Sequence, residues 1–288
     1  MHPLSTFESE VPARNIAGIG RVLLWKGGSV WIGRDAGLGQ PHNHHAIQIT
    51  LALIRPVRIR GRQDEEWQIV SAAIVMPDRQ HQFDGCGQAV ATVFVEPETR
   101  AGRALVDRHG QQDVSLLFDH CLDVRKAALY AAFETREPDE TLIAAAQRLI
   151  AHLAAAPVHF DAAIDYRIGS VLDRIRDRPN GEMSLAQAAS LAHLSPSRFR
   201  HLFVAQTGIS FRAYLLWARV ELAVARGMSG GSWTDAAQQA GFADSAHFSR
   251  TCRRMFGVSP TMVVREDRAA AKQSTVRRWS SDVQHHED

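Results

Sequence analysis

The sequence predicts an α+β protein of two domains, a small N-terminal β-barrel and a C-terminal all-α unit, joined by a helical linker. Three observations carry this expectation. The 288 residues exceed what a single core usually serves, roughly 100–200 residues. Short β-type runs fill the first third and stop at Pro97, after which helical periodicity takes over from about Thr99. Charge divides in the same way: residues 1–162 hold 16 Lys+Arg and 19 Asp+Glu (16 − 19 = −3), residues 163–268 hold 14 and 9 (14 − 9 = +5).

The β-type runs between Ile19 and Val95 are IGRVLLW, SVWIG, AIQITLALI, VRIRG, WQIV, AAIVM and AVATVFV, at the spacing of a sandwich or small barrel. The next segment is rich in Ala, Leu and Arg. In ETLIAAAQRLIAHLAA, Leu142, Ile143, Ala146, Leu149, Ile150 and Leu153 fall on one helical stripe, which either packs on its own β-domain or forms a dimer seam. Pro157 to Asp161 reads as a linker, and IDYRIGSVLDRIRDR opens a second helical block running to about Arg265. The expected divisions are 1–97 for the barrel, 98–162 for the helical linker, 163–265 for the all-α domain, and 266–288 for a polar, aperiodic tail expected to be disordered.

Apolar residues make up 45% and charged residues 22%, the balance of a globular chain. No stretch approaches the roughly 18 apolar residues of a membrane span, and MHPLSTFESEVPARN lacks a secretory pattern, so the expected location is the cytoplasm with no membrane partner. Cys86, Cys121 and Cys252 are odd in number and far apart, with no C-x-x-C pair, and are expected to be reduced and structural. All fourteen cations of residues 163–268 are Arg, the side chain suited to phosphate and to guanine edges.

Helix starts in the second block are explicit. Ser184 followed by Gln187 is a capping box ahead of LAQAASLAH. Ser195-Pro196 places an N-cap before a proline at the first helical position, and Gly208 is a stop, giving a second helix from Ser195 to Thr207. This is helix-turn-helix spacing. After the longer FRAYLLWARVELAVARG the pattern returns: Ser232 caps WTDAAQQAGF, Asp244 caps SAHFSRTCRRMFG, and Ser259-Pro260 starts a last short helix. The pairs Phe248 and Phe199, Cys252 and Phe203, and Gly257 and Gly208 all differ by 49 positions, an internal repeat.

The segments Ser195-Pro-Ser-Arg-Phe-Arg-His-Leu-Phe and Gly241-Phe-Ala-Asp-Ser-Ala-His-Phe-Ser-Arg, with Gly257-Val-Ser-Pro260, resemble the signature stretches of the AraC/XylS family of bacterial transcription regulators over Ile164–Arg265. Cys252 departs from that family's usual Phe. The resemblance implies two recognition helices entering successive major-groove segments, with the long helix as spacer. It implies a transcription regulator, activator or repressor, not an enzyme, whose partners are double-stranded promoter DNA, RNA polymerase, a small-molecule effector and a second copy of the chain.

Phe199, Leu202 and Phe203 must face the core of the first unit. Ser197, Arg200 and His201 are left outward as the expected base readers. In the second unit Phe248, Cys252 and Phe256 face inward. Ser245, Ala246, Ser249 and Arg250 face out, with Arg253 and Arg254 placed for phosphate. Arg200 and Arg250 are the central candidates.

In the β-rich half, GQPHNHHAIQITLAL holds His42, His44, His45 and Gln48, and His81 follows in MPDRQHQF. With the short strands, the H-x-H and Pro-x-x-x-His stretches resemble the cupin-type barrel that many members of the family carry as a sensor. In metal-binding cupins such a pair, a Glu and a later His hold a divalent ion; here Gln48 stands about where the Glu would be, and the sensor domains have generally lost the metal. Three readings stay open for His42, His44, Gln48 and His81: locally hydrogen-bonded remnants, the polar lining of an effector pocket, or a metal site at His42, His44 and His81. The expectation is an effector pocket with no metal and no cofactor. A metal-dependent enzyme fused to a DNA-binding domain, or a regulator controlled by abundance or a protein partner, are the alternatives. Trp25, Trp31 and Trp67 are candidates for the pocket wall or the barrel core.

Overall fold

The computed structural model describes residues 18–35, 37–154, 164–180 and 183–265. The linker at Pro157–Asp161, the N-terminal segment and the tail from 266 lie outside them.

Strands β1 (Gly18–Trp25) and β2 (Gly28–Asp35) form a hairpin. Then come β3 (Ile47–Ala52), β4 (Val57–Arg60), β5 (Gln68–Val70), β6 (Ala72–Val75), β7 (Gln82–Asp84) and β8 (Ala89–Val95). Helix α1 (Arg100–His109), strand β9 (Val114–Leu116), α2 (His120–Glu134) and α3 (Asp139–Ala154) complete the first half. The large sheet runs β10-β1-β2-β8-β3-β6-β9, where β10 is Val263–Arg265, and a small sheet runs β5-β4-β7.

Alternation along the central strands explains why both of their faces are covered. Ile47, Ile49 and Leu51 of β3, with Ala91, Val93 and Val95 of β8, join Leu142, Ala146, Leu149, Ile150 and Leu153 of α3 in one core. The intervening Ala52 and Val90 face the small sheet, packing with Val57, Ile59 and Val70. The α3 stripe therefore packs on its own β-domain and is not a free dimer seam. Residues 98–162 are more than helical: β9 lies among them and pairs with β6.

The second half is α4 (Tyr166–Asp177), α5 (Leu185–Leu191), α6 (Pro196–Thr207), α7 (Phe211–Met228), α8 (Trp233–Gln239) and α9 (Ser245–Phe256). Helix α7 serves two cores. Phe211 and Tyr214 pack with Phe199 and Phe203, while Trp217, Val220 and Val224 pack with Phe242, Phe248, Cys252 and Phe256. Gly227 lets α7 approach α8, since a Cβ there would lie 2.0 Å from the Trp233 ring.

One expected element differs. Ser259-Pro260 starts only a single 3-10 turn, Pro260–Met262, and the chain then becomes β10, parallel to β1. The open edge of β1 offers unpaired backbone groups, and pairing there outweighs continued helix.

Candidate nucleic-acid interface and effector pocket

The two helix pairs repeat in detail. Ser184 accepts from Gln187 N–H in a full capping box, and Ser232 caps α8 through Asp235 N–H. Ser195 and Asp244 cap α6 and α9, and Gly208 and Gly257 end them at φ 81° and 73°, the left-handed region glycine favours. The helix starts, Pro196 and Ser245, and the ends, Thr207 and Phe256, keep the 49-residue offset. Connecting turns pass through positive φ at His193 (52°) and Gly241 (84°).

Phe199, Phe203, Phe248, Cys252 and Phe256 are buried and Leu202 half-buried, which fixes the outward faces. Ser197, Arg200, His201, Ala246, Arg250, Arg253 and Arg254 are exposed, and Ser245 and Ser249 half-buried. The His201 Nδ1 hydrogen bonds the Ser197 carbonyl at 2.9 Å. Under the 49-residue offset Arg250 is the counterpart of His201, and Ser249 that of Arg200, so the two faces present different donors at matched positions.

A cavity opens where the large sheet meets the C-terminal helices. Val22, Trp31, Thr92 and Phe94 form one wall, His42 and Gln48 its polar end, and Met228, Phe256 and Val258 of the helical half the other side. The Trp31 and Phe256 rings lie 4.6 Å apart, so the wall of the cavity is also the foot of α9. Trp31 thus lines the pocket, and Trp25 packs against the β-domain core. Trp67 does neither, lying beneath the guanidinium groups of Arg58 and Arg60.

The histidines converge. His42 and His81 face each other in an antiparallel bridge, each N–H donating to the other's carbonyl at 2.9 Å. His42, His44 and His81 are buried, with ligating atoms within 4.8 Å of one another. Burial lowers His42 to about 4 and His44 to about 3 and pulls His81 well below its ordinary value, so all three are neutral at neutral pH. His45 turns away and pairs with Glu98 at 2.9 Å.

Sequence reasoning missed the polar seam between the halves. Arg176 of α4 donates from Nε to Glu96 at 2.8 Å, the Tyr214 hydroxyl of α7 reaches the same carboxylate at 3.3 Å, and Ser29 of β2 donates to Glu221 of α7 at 3.4 Å. The available signal was a pair of glutamates, Glu96 and Glu98, directly after an apolar strand, where solvent would be the default neighbour.

The architecture is thus a tandem helix-turn-helix unit docked on a β-domain with a cavity at the seam. A family model described as a helix-turn-helix domain matches residues 188–266, and the C-terminal unit is a helix-turn-helix domain. "Probable transcriptional regulator LumQ" from Photobacterium leiognathi is 35% identical over 107 residues, 35% of this chain and 42% of that protein. The chain therefore matches less than half of that relative's length. Among solved structures, ToxT from Vibrio cholerae superposes with a TM-score of 0.51 at 11% identity, covering 82% of this chain and 96% of that one. ToxT bound to (E)-4-(8-methylnaphthalen-1-yl)but-3-enoic acid gives 0.50 at 10% identity, covering 81% and 97%. At such identity the likeness is one of fold, and it spans both halves.

Proposed function

We propose that this protein is a sequence-specific DNA-binding transcription regulator that reads promoter DNA with α6 and α9 and takes a small effector into the cavity at its domain seam. The observation that carries the DNA reading is the repeat itself: two capped recognition helices of equal length, apolar on one face and bearing Arg200 or Arg250 on the other. Helix α7 separates them by 18 residues, about 27 Å of helix, comparable to the roughly 34 Å between successive major-groove segments. An effector reading is supported by the apolar wall of the cavity and by the aromatic acid held by ToxT. The mechanism follows from position: a ligand against Phe256 alters the seat of α9, and it shifts DNA affinity by as much as it prefers one seating over the other. Two copies on neighbouring sites and RNA polymerase beside them complete the cytoplasmic assembly this reading implies.

The test is fluorescence anisotropy with duplexes tiled across the promoter next to the gene. Saturable, sequence-dependent binding that weakens in Arg200→Ala and Arg250→Ala supports the reading. Binding equal for all sequences and insensitive to both substitutions would refute it.

A further inference from the structure

Three buried imidazoles, of which His42 lines the cavity, commit the same nitrogen in the same way. Nδ1 of His42 lies 2.8 Å from the Gln40 carbonyl, that of His44 2.8 Å from Ala46 and that of His81 3.0 Å from Arg79. A carbonyl oxygen only accepts, so each Nδ1 carries the proton and each Nε2 is left as a bare lone pair. Nε2 of His44 and of His81 lie 2.9 and 3.1 Å from Gln48 Oε1, another acceptor. The amide nitrogen of Gln48 donates to Thr50 Oγ1 at 2.9 Å, which turns the amide oxygen toward the rings. Acceptors facing one another at hydrogen-bond distance repel unless a cation lies among them.

Donors roughly 2.1 Å from a metal and at right angles stand roughly 3.0 Å apart, the separation seen between Gln48 and each of the two rings. Three imidazole nitrogens and one amide oxygen suit Zn²⁺, Co²⁺, Ni²⁺ or Fe²⁺ better than Ca²⁺ or Mg²⁺, which take oxygen shells. The carbonyl partners hold the rings in the ligating tautomer, as partners of metal-bound histidines do.

The site touches the DNA-binding half directly. The His44 ring lies 6.0 Å from that of Trp217 and 6.2 Å from that of Phe256. The Gln40 carbonyl accepts the hydrogen bond from His42 Nδ1, while the Gln40 N–H donates at 2.9 Å to the carbonyl of Gly257, the residue that ends α9. A Cβ at Gly257 would stand 2.5 Å from the Gln40 oxygen and 2.7 Å from His42 Nδ1, so helix end and histidine loop are in backbone contact.

We propose that His42, His44, His81 and Gln48 bind a divalent transition-metal ion, and that its occupancy is passed to the second recognition helix through Gln40 and Gly257. The metal is then a signal for the regulator, and only this output rests on the DNA-binding reading. Turned over, the Gln48 amide would donate its two N–H groups to His44 and His81 and satisfy both rings without an ion, and this is the arrangement the experiment must distinguish.

Full-length protein stripped with EDTA is titrated with Co²⁺ alone and followed by visible absorption. A saturable ligand-field band is expected, weakened roughly tenfold or more in His44→Gln and His81→Gln and strengthened in Gln48→Glu, with circular dichroism checking that each variant is folded. No band in folded wild type and none in Gln48→Glu overturns the site and assigns the turned amide. Anisotropy with promoter DNA, with and without Zn²⁺, is expected to show a change in Kd that His44→Gln abolishes. A Co²⁺ band with a metal-independent Kd overturns the relay to α9. A Co²⁺ band with no DNA binding under any condition confirms the site and refutes the DNA-binding reading instead.

Discussion

Arg176 of α4 reaches across the domain seam to Glu96, at the end of β8, donating from Nε at 2.8 Å. Eighty positions apart in sequence, the two are nearly buried and share the seam with Glu98 and Tyr214. The first helix-turn-helix unit is thereby tied to the same strand whose Phe94 walls the cavity.

Arg176→Ala is expected to be among the most damaging polar substitutions, since it leaves Glu96 buried without its cation. Breaking one partner of such a pair costs about 3–5 kcal/mol. Urea unfolding should show this loss, and the double variant Arg176→Met with Glu96→Gln should recover part of it. A loss under about 1 kcal/mol would mean that the seam opens freely in solution.

Arg200→Ala and Arg250→Ala should each cost about 1–3 kcal/mol of binding to the preferred sequence and relax the base preference at one position. Arg253→Ala and Arg254→Ala should weaken all sequences alike and flatten the salt dependence. Competition assays against single-base operator variants separate the two behaviours. Uniform weakening by all four substitutions would assign every one of these arginines to phosphate.

Glu221 sets a pH dependence. Burial, then the neighbouring Glu96 and Glu98 carboxylates, raise it well above its ordinary value, more than the Ser29 bond and Arg176 lower it. The folded chain therefore keeps a proton that the unfolded chain releases above roughly pH 4.5. Its contribution is complete below that pH and is lost as pH rises through the folded value. Glu221→Gln should be more stable than wild type at pH 8 and show a smaller fall between pH 5 and pH 8 in thermal unfolding. Parallel curves for the two proteins would show that Glu221 ionises freely in the fold.

Thiol chemistry reports the second helix-turn-helix unit. Cys86 and Cys121 are exposed, whereas Cys252 is buried in the α7–α9 core with its thiol pushed up to about 12 by burial. Alkylation of the native protein should label the first two and spare Cys252 until denaturant opens the unit. Peptide mass spectrometry finding Cys252 labelled at the rate of Cys121 would mean that α9 is undocked in solution.

At His193 the backbone holds φ at 52° in an exposed turn, where the second repeat uses Gly241. Relief of that conformation, partly offset by the extra freedom glycine adds to the unfolded chain, should let His193→Gly stabilise by about 0.5–1 kcal/mol. A destabilised variant in thermal unfolding would mean that the imidazole makes a compensating contact.

The sequence by itself determined the two helix-turn-helix pairs. Caps at Ser184, Ser195, Ser232 and Asp244, stops at Gly208 and Gly257, and the 49-residue offset all act within a turn or two of backbone, where local chemistry decides the outcome. Tertiary structure alone decided the rest. Val263–Arg265 is a strand only because β1 has an open edge, and His81 meets His42 only through a bridge between distant loops. Glu96 meets Arg176 because two cores share a seam. The cavity belongs to neither half by itself, because Phe94 and Phe256 become its walls only when α9 docks on the sheet and both rings leave water together.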